Sequence, residues 1–196
     1  MQGIIEIAAW IGEEFLILLS EHEALKKIYK PTETVASFYQ GYIDNVPDDG
    51  NLLIHLEDIF SDTEEMISPL SEEKMNYRYA PGKWTIKDML VHLSDCERIF
   101  VYRALRFSRG DITPLPGFEE SSYAEFAAAN EREKEDILRE YSLVRESSIA
   151  FIESLSDEAL SRKGTANGYP VSVRMLVNLI YGHHKHHLNI LRERYL

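Results

Sequence analysis

The sequence predicts an all-α protein: a four-helix bundle with one further helix at its N-terminus. Three observations lead there. Apolar residues recur three and four apart through several segments long enough to line a bundle. No series of residues alternates with the period of two that strands require. Neither a Gly-rich phosphate loop nor an internal repeat interrupts the helical pattern.

Residues 4–27 form the first predicted helix, apolar nearly all round through Ile4, Ile7, Trp10, Ile11, Phe15, Leu18 and Leu19. Such a helix is buried or docks on a partner subunit. It carries Glu6, Glu13 and Glu14 and lacks a basic start and a small-residue cleavage site, so it reads as a soluble helix and not as a signal peptide or membrane span. Pro31 ends it. Residues 31–50 read as a connecting segment with little regular structure, punctuated by Pro31, Gly41, Pro47 and Gly50. The division that follows is an N-terminal helical extension, 1–30, and a bundle domain, 31–196.

A second helix spans 51–68, with Leu52, Leu56, Ile59, Met66 and Ile67 on its apolar face and Pro69 after it. The third follows the Pro81-Gly82 turn. Thr85 is its predicted N-cap, with Asp88 completing a capping box, and Gly110 follows its end. The fourth is expected over 122–155, strongly charged in its first half, with Leu138, Tyr141, Leu143, Val144, Ile152 and Leu155 on the apolar side. Residues 164–170 read as a loop. Ser172 then caps the last helix, which runs to Arg194. Some connections are too long for a minimal up-down bundle, so one of them is a crossover.

Composition excludes several functions. A net charge of −12 with no basic stripe argues against a nucleic-acid binder. Cys96 is the single cysteine, so no intramolecular disulfide forms, and a reducing cytoplasm is the expected compartment.

The chemistry concentrates in Gly182-His183-His184-Lys185-His186-His187. The seam of the last helix reads Val173, Leu176, Ile180, His183, His187, Leu191, so two histidines stand where Leu or Ile would be expected. Buried imidazoles need partners on both nitrogens. A pair four apart is common on helices without any metal, and a third ligand on another helix is what turns it into a site. His92 supplies the candidate, flanked on its own strip by Met89 and Cys96. Three neutral imidazoles and an open position match a catalytic zinc-type centre. His184 and His186 point to either side and are read as flanking polar residues. Asp95 and Glu97 are candidates to accept the second N–H of a ligand histidine, and a salt bridge with Arg98 or Arg103 accounts for them equally well. Cys96 reads as a small buried hydrophobe ahead of a ligand or reactive thiol. His22 and His55 are read as structural.

Residues 79–88, the run His92-Leu93-Ser94-Asp95-Cys96-Glu97-Arg98, residues 102–107, 113–118 and 164–168, and Gly182-His183 with His186-His187 and 191–195 together resemble the DinB/YfiT-like superfamily. The resemblance covers residues 30–196 and leaves 1–28 outside the family pattern. It implies an up-down-down-up four-helix bundle, often dimeric, that binds nickel or zinc through three histidines, here His92, His183 and His187. The leading expectation from it is a thiol-dependent S-transferase using a low-molecular-weight thiol such as bacillithiol on small electrophiles, with a metal-dependent hydrolase as the alternative. A non-catalytic metal-binding stress-response protein is the third expectation. Arg103, Arg106 and Asn130 are candidates for the pocket wall. The expected partners are a small-molecule electrophile or hydrolysable substrate and a second copy of the chain, with neither nucleic acid nor membrane. Three imidazoles by themselves suit zinc, nickel, copper or iron.

Overall fold

A computed structural model describes residues 26–196; the helix expected over 4–27, with His22, falls outside them except for Lys26 and Lys27, which are not helical. In chain order the elements are α1 (Ser37–Asp44), α2 (Leu52–Ile67), α3 (Glu72–Met75), α4 (Ile86–Ser108), α5 (Glu120–Phe126), a 3-10 turn (Ala129–Glu131), α6 (Lys134–Glu153), α7 (Asp157–Ser161), β1 (Lys163–Ala166), β2 (Tyr169–Ser172) and α8 (Val173–Arg194).

The long helices α2, α4, α6 and α8 form the bundle. α4 packs against α6 and α8, and α2 packs against the same two, so α2 and α4 occupy opposite corners. Contacts along each pair fix the directions. Arg145 reaches the Leu56 carbonyl while Lys134 reaches those of Ser68 and Leu70, so α2 and α6 run antiparallel. Lys87 meets the Arg132 carbonyl just before α6, and Glu97 meets Arg145 further on, so α4 and α6 run parallel. Tyr195 donates to the Trp84 carbonyl while Phe100 packs on His183, so α4 and α8 run antiparallel. The order is up-down-down-up.

A parallel α4–α6 pair forces the connection between them to retrace the bundle, roughly 30 Å at 1.5 Å per helical residue. For this reason the helix expected over 122–155 is not continuous. The chain instead forms α5, passes through Ala128 in the left-handed region (φ 48°), makes the 3-10 turn and starts α6 at Lys134. Leu143, assigned to the apolar face, is exposed, and the buried strip is Ile137, Leu138, Tyr141, Arg145, Ser148 and Ile152.

Two other segments are more ordered than expected. Residues 37–44 of the presumed connection form α1, which packs on α8. Gly182 permits this approach: a Cβ there would lie 2.2 Å from the Tyr42 carbonyl oxygen. The loop expected over 164–170 is the turn of the β1–β2 hairpin, in which Ala166 pairs with Tyr169. Asn167 (φ 52°) and Gly168 (φ 78°) give the two positive φ values of a type I′ turn. Leu115 joins its edge through Leu115 N to Thr165 O and Asn167 N to Leu115 O.

The caps agree with the sequence. Thr85 and Asp88 form the capping box of α4, and the Ser172 hydroxyl accepts from Met175 N at the start of α8. No helix among the described residues is long and apolar enough to cross a membrane.

Candidate metal centre

His92 stands on α4, and His183 and His187 stand one turn apart on α8. Because α4 and α8 are antiparallel neighbours, the first third of α4 faces the second half of α8, and the three rings meet between them. The Nε2 atoms of His92 and His183 are 3.1 Å apart, as are those of His187 and His183. One ring nitrogen from each of the three lies within 4.8 Å of the others. Burial pushes the imidazoles toward the neutral form: His92 to about 4, His187 to about 3, and His183 well below the ordinary range.

Three neutral rings crowded through the same nitrogen make a poor hydrogen-bond network. Each neutral imidazole has one donor and one acceptor, and His183 Nε2 cannot satisfy two neighbouring acceptors at once. A divalent ion accepts a lone pair from each ring and removes the conflict, so the donor set fits zinc, nickel or another borderline cation. The Nδ1 of His187 is buried without a protein partner among the described residues.

Aromatic rings enclose the cluster. Trp84 lies 4.5 Å from His92 between ring centroids, Tyr42 5.4 Å from His183, and Phe100 5.9 Å from His183. Cys96 Sγ sits 3.6 Å from both nitrogens of His92, and burial pushes its thiol upward, so the side chain is a buried, protonated neighbour. A cavity of about 40 Å³ opens beside His183, lined among others by Tyr39, Cys96, Arg103, Glu120 and Asn167. A second, of about 280 Å³, lies on the His187 side against Trp84 and Tyr195. Among the described residues a further concavity, of about 780 Å³, runs over the outer faces of α4 and α6 and touches none of the three histidines.

The remaining candidates divide. Arg103 lines the cavity beside His183. Arg106 is held by Asp111 and by the Tyr102 hydroxyl, on the surface. Asn130 donates to Asp88 and accepts from the Thr85 hydroxyl, bracing the α4 capping box. Asp95 pairs with Arg98 and Glu97 with Arg145, so neither carboxylate is given to a ligand histidine. His55 pairs with Asp49.

His184 is the correction of most consequence. Expected as a flanking polar residue, it is buried on the far side of α8. Its Nδ1 meets the Tyr141 hydroxyl at 2.9 Å and Arg145 Nη2 at 3.1 Å, and its Nε2 meets the Thr63 hydroxyl at 2.8 Å. Arg145 in turn is paired with Glu97 at 2.8 Å, both fully inside the bundle. A signal for this network existed in the sequence. Val177, Ile180, His184, Leu188 and Leu191 form a second strip at helical spacing.

A sequence model of the DinB superfamily matches residues 55–191. Among solved structures the chain is similar to YfiT from Bacillus subtilis, a probable metal-dependent hydrolase with an unusual four-helix bundle topology. The TM-score is 0.69 at 16% identity, over 85% of this chain and 91% of that one. At that identity the likeness is one of fold. No curated protein matches the chain. With 55–191 matched and the three histidines inside the matched region, the chain belongs to the DinB superfamily.

Proposed function

We propose that this protein is a divalent-metal-dependent hydrolase of a small molecule, with the metal held by His92, His183 and His187. The observation that carries the reading is the convergence of three buried Nε2 atoms, two of the separations being 3.1 Å, beside a cavity. When bound, a divalent ion supplies Lewis acidity and lowers the pKa of a nucleophile in its open position toward about 7. The chain's own residues do the rest. Burial keeps the imidazoles neutral and able to coordinate. Trp84, Tyr42 and Phe100 exclude bulk water from the rings. Glu120 lines the cavity with its carboxyl pushed upward by burial, which suits a proton acceptor for an attacking water. The fold likeness to a probable metal-dependent hydrolase supports the same class.

A second reading keeps the site and changes the nucleophile to a low-molecular-weight thiol such as bacillithiol, giving an S-transferase. The buried, protonated state of Cys96 favours an external thiol over the chain's own. Incubating zinc- or nickel-loaded protein with an activated ester and with a haloaromatic electrophile, each with and without thiol, separates the two. Ester turnover indifferent to thiol and abolished by a chelator is expected. Turnover that requires thiol selects the transferase. A protein that holds a stoichiometric ion yet turns over neither substrate is a metal-dependent binding protein.

A further inference from the structure

Two arginines are buried in this bundle, and they are treated differently. Arg145 is neutralised by Glu97. Arg103 is 4% exposed, and among the described residues no carboxylate lies within 4 Å of it. Among the described residues its one hydrogen bond runs from Nη2 to the Pro116 carbonyl at 2.8 Å. A guanidinium offers five N–H donors, and a buried cation without a counter-charge is unfavourable unless something else pairs with it. Arg103 lines the cavity that also reaches His183.

The cavity's polarity follows. Glu120 is the acid on its wall, and it makes no ion pair with Arg103, so it leaves the guanidinium without a counter-charge. Three neutral histidines leave the full charge on any ion they hold. The wall therefore selects for an anion inside a protein of net charge −12. A volume of about 40 Å³ is a little more than the roughly 30 Å³ share of one water, the scale of a single carboxylate group. A carboxylate also matches the planar donor fork of arginine through two parallel hydrogen bonds.

We propose that Arg103 is the anchor for the carboxylate of a small anionic substrate, seating it beside the metal centre with its reactive end toward His183. The proposal rests on the metal-enzyme reading above and names its substrate class.

The test uses the full chain, zinc-loaded and chelator-stripped, with propionate and its neutral isostere propionamide as probes, followed by NMR titration. Zinc-loaded protein is expected to bind propionate at least tenfold more tightly than propionamide. Arg103→Gln is expected to lose that preference and Arg103→Lys to keep part of it, both with the zinc stoichiometry of the wild type. If zinc binds but propionate affinity is unchanged in Arg103→Gln, the anchor is overturned and the metal reading stands. If no zinc binds yet propionate still depends on Arg103, the metal reading falls and the anchor stands. Should Arg103→Gln fail to fold, equal binding of acid and amide by the wild type overturns the proposal by itself.

Discussion

His183 and His184 are consecutive in the chain and both buried, yet they face different neighbours of α8. His183 meets His92 of α4, and His184 meets Thr63 of α2 and Tyr141 of α6. One helix thus carries a chemical seam and a structural seam about 100° apart.

The first prediction separates them. His183→Ala removes one of the three proposed imidazole ligands and is expected to weaken zinc or nickel binding by more than about 100-fold, since losing a supporting partner alone costs 10–100-fold. His184→Ala is expected to destabilise the metal-free chain by about 1–3 kcal/mol, the cost of orphaning buried hydrogen-bonding groups. Metal titration and urea melts of both variants check the assignment. A His184→Ala protein that is fully stable but metal-free would reverse it.

The second prediction concerns acid. His92 titrates near 4 and His187 near 3 in the folded chain, against the ordinary 6.5, because burial disfavours the imidazolium. Below 6.5 the unfolded chain binds protons that the folded chain refuses. Stability is therefore full above about 6.5 and declines as pH falls toward 4 and then 3, each histidine adding a slope of up to about 1.4 kcal/mol per pH unit. Urea midpoints of the metal-free protein measured from pH 7.5 down to pH 4.5 should hold level to about pH 6.5 and then fall. A flat profile across that window contradicts the buried neutral state.

The third prediction tests the Glu97–Arg145 pair. Arg145→Met leaves Glu97 charged and unpaired inside the bundle, and about 3–5 kcal/mol of destabilisation is expected. Glu97→Leu combined with Arg145→Met removes both charges and should cost less than Arg145→Met alone. Chemical denaturation of these two variants and of Glu97→Leu alone measures the coupling, and simple additivity would show that the pair is not a unit.

The bundle and the three-histidine set were legible because both are written in helical spacing. His92, His183 and His187 each occupy a strip position at three or four residues from apolar neighbours. The buried ion pair was not legible, although its members sit on such strips too. Glu97 continues Leu90, Leu93, Phe100 and Ala104, and Arg145 continues Leu138, Tyr141 and Ile152. A charged residue on an apolar strip reads as a surface interruption until its partner on the facing helix is known, and sequence order does not supply that partner. The β1–β2 hairpin was missed for a different reason. Its strands have four residues each, too short for alternation to register, and Asn167-Gly168 without flanking alternation fits a loop as well as a hairpin turn.

The fourth prediction follows from α1, the other element that periodicity did not reveal. α1 brings Tyr42 against both His183 and His186, at 5.4 and 5.3 Å between ring centroids. This position depends on Gly182, where a Cβ would meet the Tyr42 carbonyl oxygen at 2.2 Å and its carbon at 2.7 Å. Those atoms are backbone, so no side-chain rotation relieves the clash, and α1 must move away from α8. Gly182 lies inside a helix, where alanine has the better propensity by about 1 kcal/mol. Gly182→Ala would therefore stabilise α8 if nothing packed on it. Overpacking opposes that gain by about 1–3 kcal/mol, so a lowered melting temperature is expected. With Tyr42 displaced, the His183 ring should also become more accessible, and the release of zinc to a chelator should accelerate relative to wild type. An unchanged chelation rate together with a raised melting temperature would mean that α1 does not seal the centre.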